Sequence, residues 1–144
     1  MNKILIIGLV AVSLFSCKKK EFDYTESGTY LTGGSSKDWF LTAYYVDDVL
    51  QIDSCDYDDT LRLYSNKSFY IIGGDSSCSL LESDTLESGE WRVSSDDKTF
   101  YLFGIDAFGY EGWINSLTGG NLTVSNTTNS GQKRRYVYKT VRGY

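Results

Sequence analysis

The stretch GEWRVSSDDKTFYLF, residues 89–103, carries the pattern that decides the fold. Trp91 and Val93 flank Arg92, the alternation of a strand with one buried and one wet face. Ser95-Asp96-Asp97-Lys98 then breaks the run with turn-forming residues. Beyond it, Thr99–Phe103 is apolar on both faces, so it is either central or covered on its outer side. Two short strands about a tight turn make a hairpin.

The same unit repeats outward in both directions. Trp39–Val46, Thr60–Tyr64 and Ser68–Ile72 precede the hairpin, and Gly112–Leu117, Asn121–Asn126 and Arg135–Val141 follow it. With Gly89–Val93 and Thr99–Phe103 these make eight runs. Turn signals separate several of them: Ser65-Asn66-Lys67, Gly119-Gly120 and Asn129-Ser130-Gly131. No segment after residue 17 has a 3.6-residue apolar period of useful length. A meander of short strands buries one face and hides its edges by curling shut. The expected fold is therefore all-β, an eight-stranded antiparallel up-and-down barrel. Alternation assigns Leu61, Leu63, Phe69, Trp91, Val93, Phe100, Trp113, Leu122 and Val124 to its interior, as filling or as pocket lining. In the last run Tyr136 and Tyr138 share one face, Val137 and Val141 the other.

The N-terminus follows a different logic. Lys3 precedes the apolar run Ile4–Phe15, which is too short for a permanent membrane span and is followed at once by Lys18-Lys19-Lys20-Glu21. Leu14-Phe15-Ser16-Cys17 resembles the lipobox of bacterial lipoproteins. That resemblance implies a signal peptide over residues 1–16 and a diacylglyceryl group on Cys17. Two or more acyl chains hold a protein stably at a membrane where one does not. The lysine triplet adds attraction to anionic headgroups. Residues 17–37, rich in Ser, Gly and charge, read as the lipidated cysteine and a flexible tether whose end packs on the barrel, leaving 38–144 as the barrel domain. Lys18 after the cysteine is no inner-membrane retention signal, so the expected location is the outer membrane of the cell envelope.

Composition narrows the function. The chain of 144 residues carries a net charge of −5 with scattered lysines, which argues against nucleic acid as a partner. It contains no histidine, the commonest general base and zinc ligand. Carboxylate pairs remain as a catalytic option, but nothing marks a pair among Glu82, Glu87, Glu90, Asp106 and Glu111. No catalytic residues, metal or cofactor are expected, and the chain reads as a non-enzyme. Cys55 and Cys78 remain once Cys17 is lipidated, and in an oxidising compartment they suit a disulfide worth about 3 kcal/mol. The rival, a metal pair, is a poor zinc site without histidine. The acidic run Asp53–Asp59 lacks the order of a calcium loop and reads as a solvated strand entrance, with Asp58 and Asp59 as turn caps. Two Asp-Thr-Leu triplets, at 59–61 and 84–86, resemble an O-glycosylation sequon of exported bacterial proteins.

From Leu31 onward the chain resembles the lipocalin-like domains of small Gram-negative lipoproteins. The features are Leu31-Thr32-Gly33-Gly34-Ser35-Ser36-Lys37-Asp38-Trp39, then Cys55-x-x-Asp58-Asp59-x-Leu61, Ser68-Phe69 and Cys78. Gly89-Glu90-Trp91 and Leu117-Thr118 before Asn121-Leu122 follow in order. The resemblance implies a calycin-like barrel, a Cys55–Cys78 bond, and Trp39 packed near one end, adding Trp39 to the interior set. It also implies a cation over that indole, with Arg134, Arg135 and Arg142 as candidates, while Lys37 stands where true lipocalins have glycine.

Two functional expectations follow. The first is a lipid-anchored module that binds a small apolar or amphipathic ligand inside the barrel. The second is a filled barrel serving as an envelope-structural or protein-interaction module. A patch of Tyr70, Ile72, Tyr101 and Phe103 on the outer face would favour the second.

Overall fold

The computed structural model describes residues 26–51, 58–76, 85–104 and 109–141. It begins with a helix, α1 (Glu26–Thr32), and continues through nine strands. These are β1 (Ser36–Val46), β2 (Val49–Leu50), β3 (Thr60–Tyr64), β4 (Ser68–Ile72) and β5 (Thr85–Val93). Then come β6 (Thr99–Gly104), β7 (Gly109–Leu117), β8 (Asn121–Thr127) and β9 (Lys133–Lys139). Every neighbouring pair is antiparallel, and β9 returns to β1 from Phe40↔Lys139 to Val46↔Arg134. The result is a closed eight-stranded barrel, with β2 a short addition to the end of β1.

The founding hairpin forms as its alternation dictates. Trp91 pairs with Leu102 and Val93 with Phe100, placing all four on the inner face. Ser94 organises the turn: its amide bonds Thr99 O, and its hydroxyl accepts the Thr99 amide. The β1–β2 turn is Asp47-Asp48, both at positive φ (48° and 65°), the primed geometry that matches strand twist.

Helix α1 lies in the segment read as tether, whose residues 17–25, Cys17 among them, are outside the described residues. Its seven residues are too few to show a period. Ser27, Gly28, Leu31 and Thr32 form its buried side. Thr32 Oγ1 donates to Gly28 O at 2.9 Å, and Gly33, at φ 61°, closes the helix through its amide to Thr29 O. Leu31 is fully buried against the barrel end. The end of the segment read as tether therefore forms a helix packed on the barrel end, and β1 begins at Ser36.

The core runs Leu31, Trp39, Leu61, Leu63, Phe69, Trp91, Phe100, Leu102, Leu122 and Val124, with Val93 packed at its margin. Trp113 is the correction: it is 61 % exposed. A bulge lies between Ile114 and Ser116, so Ile114 and Leu117 both face inward, opposite Val124 and Leu122. Counting back by twos from Leu117 puts Trp113 inside; the extra residue reverses the phase and puts Gly112 there instead.

Candidate functional site

One end of the barrel is filled. There Trp39 Nε1 donates to Leu31 O at 2.9 Å, tying the indole to the end of α1. The cation over that ring is Lys37, whose Nζ lies 5.2 Å from its centroid. The same Nζ donates to Tyr30 O and to Gly119 O at 3.1 Å, so it also holds the helix C-terminus and the β7–β8 turn. Trp91 repeats the arrangement, with Nε1 donating to Tyr64 O at 2.8 Å and Lys67 Nζ 3.9 Å above the ring. Burial lowers the pKa of both lysines. Among the arginine candidates, Arg135 instead covers Tyr45 at 4.3 Å, Arg134 faces the barrel interior, and Arg142 lies outside the described residues.

Among the described residues, the other half holds a cavity of about 300 Å³, floored by Leu61, Ile71, Phe100, Leu102 and Val124, with Asp59, Asn126 and Arg134 also on its wall. Phe100, Tyr110 and Tyr136 form one side, and Tyr44 backs Tyr136 from outside the lining. Tyr44 stacks on Tyr136 at 4.7 Å, Tyr136 meets Tyr110 edge-on at 5.4 Å, and Tyr110 tilts against Phe100 at 6.5 Å. Tyr110 reaches across β8 because Val124 and Asn126 there are small, and because Gly112 leaves room for its hydroxyl. A Cβ at Gly112 would sit 2.2 Å from Tyr110 Oη.

The polar atoms of this half are under-used. Tyr110 Oη and Asn126 Oδ1 are buried with no hydrogen-bond partner among the described residues. Burial pushes the Tyr110 and Tyr138 phenols far above the ordinary tyrosine range and Tyr136 up to about 12. All three stay protonated at physiological pH, so each can donate as well as accept. A cavity with apolar walls and a few convergent polar groups is the usual form of a small-molecule site.

The expected interior residues separate between these halves. Trp39, Leu63, Phe69, Trp91 and Leu122 are packed outside the cavity lining, while Leu61, Phe100 and Val124 line it. Alternation alone missed Tyr110 and Arg134. Gly109–Glu111 carries no apolar alternation, and Arg134 sits one residue before the expected start of the last run. The phase of Tyr136 and Tyr138 extends to Arg134, and that was the available signal.

Cys55 and Cys78 lie outside the described residues. The segments flanking them are joined: Asp58 accepts the Ser76 amide at 2.7 Å and Asp59 the Gly74 amide at 3.1 Å. These are long-range ties between the segments after β2 and after β4, not the local turn caps expected of the two aspartates. Thr60 of the first Asp-Thr-Leu triplet is buried in β3, whereas Thr85 of the second is exposed at the start of β5. Among the described residues no helix is long and apolar enough to cross a membrane. No family model and no curated protein matches this chain.

Proposed function

We propose that this chain is a lipid-anchored binding module of the bacterial cell envelope, not an enzyme, that takes a small apolar or amphipathic ligand into the cavity of its barrel. The observation that carries the reading is the apolar cavity with buried Tyr110 Oη and Asn126 Oδ1, neither of which has a hydrogen-bond partner among the described residues. A barrel of this size is normally filled by side chains, and the closed half is. Unpartnered polar groups are costly in a packed core and useful in a pocket.

The anchor rests on the lipobox-like Leu14–Cys17 and the short apolar run before it, and the outer membrane on the residues after Cys17. The intact mass of membrane-extracted protein should show lipid on Cys17; an unmodified chain starting elsewhere contradicts the anchor. Non-reducing peptide mapping should recover Cys55 joined to Cys78, and free thiols at both contradict the staple.

The ligand is tested by native mass spectrometry of residues 21–144, purified from an oxidising periplasm without detergent. A mass excess lost on denaturation supports a captured molecule. A bare mass that gains nothing from a panel of medium-chain amphipaths turns the reading to the interaction module. The outer aromatics give that alternative less support. Tyr101 stacks on Phe103 under Arg92, while Tyr70 packs edge-on to Tyr64, so they form two separately satisfied groups.

A further inference from the structure

Resting on the cavity reading above, we infer that the ligand is an amphipath with a carboxylate head, and that Arg134 receives the head. Strand β9 brings Lys133, Arg134 and Arg135 together to the cavity rim. Arg135 faces outward, over Tyr45 and 3.7 Å from Asp48. The Lys133 amide is bonded to Asp47. Arg134 alone of the three cations points to the interior wall, opposite Asn126 on β8 and Val46 on β1.

Its side-chain partners are neutral: Gln132 Oε1 at 3.1 Å and the Tyr136 hydroxyl. Among the described residues no carboxylate lies within ion-pairing distance of its guanidinium. The guanidinium is a rigid fork of donors matched to a planar carboxylate. A partly desolvated cation held by neutral groups gains most from an anion brought in with its own apolar body. Tyr110, protonated and with no hydroxyl partner among the described residues, adds a further donor on the same wall.

The charge balance sets the valence of the head. Asp59 also lines the cavity, its carboxylate engaged by the Gly74 amide. Among the described lining residues, one cation and one anion suit a monoanion near Arg134 and oppose a dianionic phosphate monoester. The volume sets the length. At about 30 Å³ for a water-sized group, 300 Å³ holds on the order of ten non-hydrogen atoms. That describes an eight-carbon acid.

The test compares octanoate with 1-octanol by isothermal titration on the full-length protein, in parallel with Arg134→Met and Arg134→Lys. Partitioning into the solubilising medium is common to all three proteins and cancels between them. The inference expects octanoate to bind at least about tenfold more tightly than the alcohol. Arg134→Met should erase that preference, and Arg134→Lys should keep part of it. Circular dichroism checks that both variants remain β-folded, and Arg134→Lys carries the test if the methionine variant does not fold. Equal binding of acid and alcohol, or an acid preference untouched by both substitutions, overturns the head-group assignment and leaves the cavity reading standing. Binding of neither overturns both.

Discussion

Tyr110 shows how one side chain can be poor for stability and useful for binding. Its ring closes the aromatic wall between Tyr136 and Phe100, while its hydroxyl is buried with no partner among the described residues. A buried hydroxyl without a hydrogen bond costs about 1–3 kcal/mol, reduced where water can reach it. Tyr110→Phe should therefore leave stability unchanged or raise it by up to about 1 kcal/mol in urea denaturation. A loss beyond about 1 kcal/mol would mean that the hydroxyl has a structural partner. The same wall gives the protein an alkaline limit. Burial raises the Tyr110, Tyr136 and Tyr138 phenols above their unfolded value near 10, with Tyr136 at about 12. Between those pH values the unfolded chain has lost these protons and the native state still holds them. Stability is full below pH 10 and falls as pH rises toward 12. Ultraviolet titration at high pH should show most of the 12 tyrosines ionising first and a late group ionising together with unfolding. Uniform ionisation near pH 10 in a folded protein would contradict this burial.

Among the elements, the strands were legible wherever apolar and polar residues alternate, as in Leu61-Arg62-Leu63 and Leu122-Thr123-Val124. The early parts of β5 and β7 were not, because Thr85–Ser88 and Gly109–Glu111 have no such alternation and gain their place from the ladder. Helix α1 was hidden for another reason: seven residues offer one apolar contact, Leu31, and its stability comes from the barrel end it covers. Trp113 was misplaced by the bulge after Ile114, a feature with no sequence mark beyond a polar Asn-Ser step. The consequence can be checked by iodide quenching. Trp39 and Trp91 are buried and Trp113 is 61 % exposed, so one quenchable component is expected and Trp113→Phe should remove it. No quenchable component in the unsubstituted protein would mean that the bulge, and the phase it sets, is absent, and quenching retained in the variant would mean that Trp39 or Trp91 is exposed. Leu31→Ala should cost about 2–5 kcal/mol and loosen the Trp39 end, read by urea denaturation followed through tryptophan emission. A change below about 0.5 kcal/mol would show that α1 is dispensable.

Across the whole molecule the barrel is asymmetric. The end holding α1, Trp39 and Trp91 is plugged and cross-tied by Lys37 and Lys67. The opposite end carries the cavity, the tyrosine wall and Arg134. The architecture was readable in the sequence because eight short runs with tight turns leave few other ways to hide their edges. The division into a filled half and one holding the cavity was not, since it depends on which inward positions carry large rings and which carry Gly112, Val124 or Asn126. Helix α1, the first described element, lies at the plugged end, opposite the cavity. The measurement that tests this account most directly is a ¹⁵N correlation spectrum titrated with octanoate. The account predicts shifts concentrated at the amides of Leu61, Phe100, Tyr110, Val124 and Arg134, with Trp39, Trp91 and their neighbours at the plugged end undisturbed. Shifts confined to the outer face around Tyr45 and Trp113, or none at millimolar octanoate, would contradict it.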